Sequence, residues 1–141
     1  MIAHIRTTLL DLLALTLGAR RDVADMARTR GLRAARLRMI IAQIQKGFLD
    51  PSFSVRHVAI QMGATPRSIQ NILQETGRGF VERVNELRLQ KSREMLLNPE
   101  YDHMKIAEII SKCGFSELSN FYLLFRRRFG GPPGQFRRQN S

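Results

Sequence analysis

The chain has 141 residues, with 23 Lys and Arg against 12 Asp and Glu, a formal net charge of +11. That length suits one domain, or two small ones sharing an interface, and excludes large catalytic scaffolds such as a full α/β barrel. An apolar share of 43% is enough for a core and excludes wholesale disorder, while a pI near 11.3 points to a polyanionic partner, nucleic acid or an anionic membrane surface. Of the 23 basic residues 19 are Arg. Arg pairs bidentately with phosphates and guanine edges, which favours nucleic acid.

Residues 2–17 read as a helix: Ile2, Ile5, Leu9, Leu12, Leu13 and Thr16 follow three- and four-residue spacing, and Leu10, Leu15 and Leu17 widen the apolar arc. Such a face has to be buried against something. The run loosely mimics a signal peptide, but Asp11 interrupts it, no small-residue cleavage site precedes Arg20, and it is too short to span a bilayer. The expectation is a cytoplasmic protein without a targeting segment. Gly18 reads as the terminator, and residues 18–34, with many Arg and Asp and no strong apolar period, read as a linker with some helix in it.

A second helix is expected from Ala35 to Lys46, with Leu37, Ile40, Ile41 and Ile44 inward, and Asp50-Pro51 marks a turn. Ser54 then caps a helix over 55–62, with Val55, Val58, Ala59 and Met62 inward. Gly63-Ala64-Thr65 is a tight turn, and Thr65-Pro66 reads as an N-cap followed by proline at the first helical position of 66–75. Ile69, Ile72 and Leu73 face inward there. After Gly77-Arg78-Gly79 a longer helix covers 80–97, ended by Asn98-Pro99. The short-helix, turn, short-helix pattern then returns: Ile106, Ile109 and Ile110 line one helix, Cys113-Gly114-Phe115-Ser116 turns, and Phe121, Leu124, Phe125 and Phe129 line the next, closed by Gly130-Gly131-Pro132-Pro133. No segment alternates as a strand. The fold class is all-α.

Catalytic chemistry finds no footing. The single Cys113 excludes an intrachain disulfide, and its solitary state fits a reducing compartment. His4, His57 and His103 are far apart, with no pair at metal-ligand spacing. No Gly-rich phosphate loop, nucleophile elbow or zinc-protease motif occurs. The sequence therefore predicts no enzyme, no metal and no cofactor. The informative object is the repeated unit, about 55–75 and about 104–129: a helix, a glycine-containing turn and a second helix with a polar outer face. This is the layout of a helix-turn-helix, whose second helix can enter the major groove. The outward residues of 66–75 are Arg67, Ser68, Gln70, Asn71 and Gln74, and Arg, Gln and Asn are the types that pair bidentately with base edges. The phenylalanines from Phe115 to Phe136 have the spacing of a core, not of stacking platforms.

From about 36 to 138 the sequence resembles the DNA-binding domain of the AraC/XylS family of bacterial transcription regulators. The first unit matches in Ser54, Val58-Ala59, Gly63 to Arg67, Ile69 and Leu73, and the connecting helix in Phe80, Val84, Arg88-Leu89 and Leu96. The second unit is the most specific, in Ile106, Glu108-Ile109, Cys113 to Ser116, Ser119, Phe121, Phe125 to Gly130, Pro133 and Phe136-Arg137. The resemblance implies seven helices: two helix-turn-helix subdomains joined by a long linker helix, with both recognition helices on one side of the duplex in successive major grooves, about 34 Å apart. It implies a sequence-specific DNA-binding regulator, an activator, with double-stranded DNA and RNA polymerase as partners. Carried over by position, the base-reading candidates are Arg67, Ser68, Gln70 and Asn71 in the first unit, and Leu118, Ser119, Asn120, Tyr122 and Leu123 in the second. Position 123, often Arg in the family, is Leu here, and Tyr122 and Leu124 replace smaller residues, so the first unit is expected to carry most base discrimination. Ile110 stands where the family usually has Ala, between crossing helices. Arg126, Arg127, Arg128, Arg137 and Arg138 are the candidate phosphate contacts, in a stretch with no acid after Glu117.

This divides the chain into residues 1–35, an N-terminal helix and linker, and 36–141, the DNA-binding domain. Leu9 to Gly18 resembles the closing helix of the sensor domain in the XylS-like branch, so 1–35 reads as the remnant of a sensor or dimerisation domain, and residues 2–17 are expected to pair with a second copy or fold back. The competing reading, on charge alone, is a non-specific nucleic-acid or nucleoid-binding helical protein.

Overall fold

The structure is a computed structural model that describes the backbone of residues 2–139 and the side chains of residues 6–137. Among the described residues there are seven α-helices and no strand: α1 Ile2–Gly47, α2 Val55–Met62, α3 Pro66–Gln74, α4 Phe80–Leu97, α5 Ile106–Lys112, α6 Leu118–Phe129 and α7 Pro133–Gln139, with a 3₁₀ turn at Pro99–Tyr101. The all-α expectation holds. The chain divides into two units, Met1–Arg38 and Met39–Ser141.

In the first unit the structure corrects the sequence reading. α1 passes without interruption through Gly18 and Gly31, where a terminator and a linker are expected. A glycine costs a helix about 1 kcal/mol relative to alanine, and residues 18–34 offset that with Ala, Arg, Leu and Met and contain no proline. Every described side chain from Arg6 to Ala34 is exposed. Ile2 and Ile5 of the expected apolar face lie outside the described side chains.

The second unit builds its core from helix starts that are chemically specified. Ser54 precedes α2 in extended geometry, and its backbone N–H donates to Nδ1 of His57 at 3.1 Å. Gly63 ends α2 in the left-handed region (φ 62°), which lets the Ala64 N–H reach the Ala59 carbonyl at 2.9 Å and turns the chain sharply toward α3. Thr65 Oγ1 accepts from the Ser68 N–H at 3.2 Å, and Pro66 occupies the first helical position. Ile40, Ile44, Val58, Ala59, Ile69, Leu73, Phe80 and Val84 are buried around this first helix pair. A second cluster holds Leu89, Met95, Leu96, Met104, Ile109, Ile110, Cys113, Phe115, Phe121 and Phe125. α4 contributes to both sets, which is how one helix carries two helix-turn-helix subdomains.

α7 begins inside the Gly-Pro stretch that closes α6. Pro133 at its first position is the start signal, and Phe136 packs edge-on against Phe125 at 5.3 Å and touches Phe129 at 6.0 Å. Ile110 is fully buried in the same cluster as Met104.

Candidate nucleic-acid interface

Two short helices follow tight turns and present an outer face: α3 in the first subdomain and α6 in the second. Each is held from behind by an inward stripe, Ile69 and Leu73 in α3, Phe121 and Phe125 in α6, all four fully buried. Counted from their first residues, Pro66 and Leu118, the two helices are in phase: Ile69 corresponds to Phe121, and Leu73 to Phe125. The outward positions therefore correspond as well. Arg67, Gln70, Asn71 and Gln74 of α3 stand where Ser119, Tyr122, Leu123 and Arg126 stand in α6, and all eight are exposed.

The predicted base-reading residues fall on these faces in different ways. Arg67, Gln70 and Asn71 lie on the open side of α3, while Ser68 is half-buried at its edge, with its N–H bound to Thr65. Leu118, Ser119, Asn120, Tyr122 and Leu123 are all exposed on α6, and the Tyr122 ring leans edge-on against Phe121 at 5.7 Å. Gln74 is outward by helical spacing and exposed, but stands outside the expected base-reading set. It lies one turn beyond Gln70 and shares the surface of Arg67 and Asn71.

The five candidate phosphate contacts separate into three kinds. Arg126 and Arg127 are exposed on α6. Arg128 points elsewhere: its Nε donates to Glu86 Oε1 and Oε2 at 3.1 and 3.0 Å, and its Nη2 lies 3.0 Å from Oε1. This bidentate pair fastens α6 to α4. The Arg128 guanidinium holds the Glu86 carboxyl below its ordinary range, with burial opposing and Gln90 assisting through its side-chain amide. Arg137 is half-buried and donates from Nη2 to the Tyr101 carbonyl at 2.8 Å, closing α7 onto the 3₁₀ turn. The Arg138 side chain lies outside the described residues. On an α-helix three consecutive residues point about 100° apart, which is why Arg126 to Arg128 do not share one direction.

Sequence reasoning missed the structural work of Arg88. Its Nε donates to the Phe48 carbonyl at 2.7 Å and its Nη2 to the Asp50 carbonyl at 2.9 Å, and its guanidinium lies 6.0 Å from the centre of the Phe115 ring. Burial lowers its pKa, with Asp50 opposing. One arginine thus ties the loop before α2, the linker helix and the second turn together. Gly114 sits against this clamp at φ 96°, where an added Cβ would lie 2.5 Å from the Phe48 carbonyl oxygen and 2.8 Å from Arg88 Nε. Among the described residues no group of three or more metal-ligating side chains occurs, and no helix is long and apolar enough to cross a membrane.

The family model for a helix-turn-helix domain matches residues 58–139. The chain belongs to the AraC family. The AraC-type match begins inside α2 and ends with α7, so it spans both helix-turn-helix units and leaves out α1. The chain is 32% identical over 103 residues to the transcriptional activator RhrA of Rhizobium meliloti, covering 73% of this chain and 32% of the relative. It is 33% identical over 105 residues to the HTH-type transcriptional activator RhaS of Escherichia coli, covering 74% and 36%. The chain thus spans about a third of the length of the curated relatives it matches. Among solved structures, the C-terminal domain of AraT, a response regulator from Geobacillus stearothermophilus, matches with TM-score 0.65 and 27% identity over 74% of this chain and 84% of that one. A probable AraC family transcriptional regulator from Rhodopseudomonas palustris has the same fold, with TM-score 0.67 and 20% identity over 76% of this chain and 98% of that one.

Proposed function

We propose that this AraC-family chain is a sequence-specific DNA-binding regulator of transcription that activates its promoters. The observation that carries this is the pair of in-phase, outward-facing helices, α3 and α6, mounted on one linker helix. α3 offers Arg67, Gln70 and Asn71, which read base edges by paired hydrogen bonds, with Ser68 at the margin. α6 offers Leu118, Ser119, Asn120, Tyr122 and Leu123. The two helices enter successive major grooves, about 34 Å apart on one side of the duplex. Arg126 and Arg127 anchor phosphates and set register without reading sequence. Arg128 and Arg137 serve the fold, which narrows the phosphate set expected from the sequence. The curated relatives are named as transcriptional activators, and this supports RNA polymerase as the partner at the promoter and the cytoplasm as the place of action. The domain division follows the same reading, with the DNA-binding domain from about residue 36 onward.

The N-terminal segment pairs with a second copy of the chain. Leu9, Thr16 and Val23 occupy one heptad position and Leu12, Ala19 and Met26 the other, a 3.5-residue repeat that makes two α-helices supercoil. Leu9, Leu12, Val23 and Met26 are each more than half exposed in the single chain. The repeat stops at Arg30 and Arg33, which place charge on the seam. Dimerisation of this kind juxtaposes two DNA-reading domains.

The test is selection of bound sequences from a random duplex library. Two short conserved blocks, one helical turn apart, are the expected result. A pool without enrichment would instead favour a non-specific nucleic-acid-binding protein.

A further inference from the structure

The outward face of α6 departs from that of α3 in a way that the fold does not explain. Leu123 takes the position of Asn71 and is 50% exposed. It is not needed for the core, because Phe121, Leu124 and Phe125 fill the inward positions of the helix. Tyr122 beside it is 42% exposed and Leu118 at the helix start 47%. Tyr122 and Leu123 therefore stand in water where α3 carries the hydrogen-bonding Gln70 and Asn71, and Leu118 adds a third large apolar group at the helix start. Leu123 has no donor or acceptor. In a major groove the apolar group open to such a side chain is the C5-methyl of thymine.

The surroundings favour a duplex over a docked protein. Tyr122 and Leu123 share a surface recess with Arg126 and Pro132, Arg127 is exposed one residue further on, and no acid follows Glu117. An apolar centre with cationic side chains at its edge matches a methyl-lined groove floor between two phosphate backbones. Ser119, one turn before Leu123, adds a hydroxyl that donates or accepts and so tolerates several bases.

We propose that α6 reads its half-site through thymine methyl groups, with Leu123 as the discriminating side chain and Tyr122 packed alongside it. The inference rests on the DNA-reading function proposed above and names the chemistry of its second half-site: a tract of A·T pairs whose methyls face α6. The two subdomains then read by different means, α3 by hydrogen bonds and α6 by apolar contact.

The experiment uses the full chain and a duplex carrying the selected site, with each thymine of the second half-site replaced in turn by deoxyuridine. This removes the methyl and leaves every hydrogen-bonding group in place. Loss of one buried methyl corresponds to about a fourfold weakening, expected at one or two positions. Leu123→Ala should bind the dT and dU duplexes alike, Leu123→Arg should shift preference at that position from thymine toward guanine, and Arg67→Ala should keep the dT over dU preference. Circular dichroism verifies that each variant folds. Equal binding of dT and dU duplexes by the unmodified chain, with sequence preference kept in the first half-site, would overturn methyl reading and leave the DNA-reading function standing. Loss of preference in both half-sites would overturn the two together. If Leu123→Ala weakens dT and dU duplexes by the same factor, Leu123 has another role, docking of a protein partner included, and the proposal fails.

Discussion

Arg67 and Arg126 carry the same charge but stand in different surroundings, and their replacements should separate cleanly. Arg67 lies on the polar face of α3 beside Gln70 and Asn71. Arg67→Ala should cost about 1–3 kcal/mol of binding and relax preference at one base pair, read from the selected motif. Arg126→Ala should weaken binding to all sequences alike and reduce the slope of log affinity against log salt by about one. Arg128→Ala should leave that slope unchanged, because Glu86 already holds its guanidinium. Cys113 makes a third test at this scale. It is fully buried, its Sγ 3.6 Å from the Met95 sulfur, and burial pushes its thiol up to about 12. The native protein should resist alkylation at pH 8 and react stoichiometrically once denatured. A fast native reaction would show the second core to be open. The outward placement of Arg67, Gln70 and Asn71 on α3 was legible in the sequence, since these residues recur at outward helical spacing. The duties of Arg88, Arg128 and Arg137 were not, because their partners are Phe48, Glu86 and Tyr101, at sequence distances that no local pattern spans.

At the scale of elements, helix starts and turns were the most legible features. Ser54, Thr65-Pro66 and Gly63 act through their nearest neighbours in sequence, so local chemistry decides them. α1 was misread for the complementary reason: its glycines carry a local penalty that the surrounding helix formers outweigh. The joint between α4 and α6 depends on Glu86 and Arg128, and its pH dependence has a definite sign. The Glu86 carboxyl is held below its ordinary 4.5 in the folded protein. Its contribution is therefore fully present above about pH 4.5 and is lost as pH falls through the lowered folded value. Glu86→Gln should lower the melting temperature at pH 7 and flatten its fall as pH drops below about 4.5. An unchanged acid profile would show that the pair adds no stability to the fold. Gly114 is the turn most closely bound to its neighbours. Gly114→Ala should destabilise by about 2–4 kcal/mol, because the left-handed φ and the Phe48 carbonyl both oppose a Cβ, measured by urea unfolding.

For the whole molecule, the charge of +11 is distributed and not confined to a tail: residues 1–35 carry +3, 36–98 carry +5 and 99–141 carry +3. Both helix-turn-helix units therefore share the electrostatic attraction to a duplex. The exposed heptad face of α1 underlies the pairing proposed above. Sedimentation should show a dimer that Leu12→Asp converts to a monomer with duplex binding retained, and a monomer at high concentration of the unmodified chain would contradict this pairing. Architecture at this scale was legible because the helix-turn-helix pattern occurs twice in order, and because Phe121, Phe125 and Phe129 keep the spacing of a core. As proposed, the two outward helices read sequence and do more than attract a polyanion. Competition binding tests it most directly, with a labelled duplex carrying the selected site displaced by either the same site or a random duplex at physiological salt. Sequence reading requires a preference for the selected site of about 10³-fold or more; equal displacement by both competitors would contradict it.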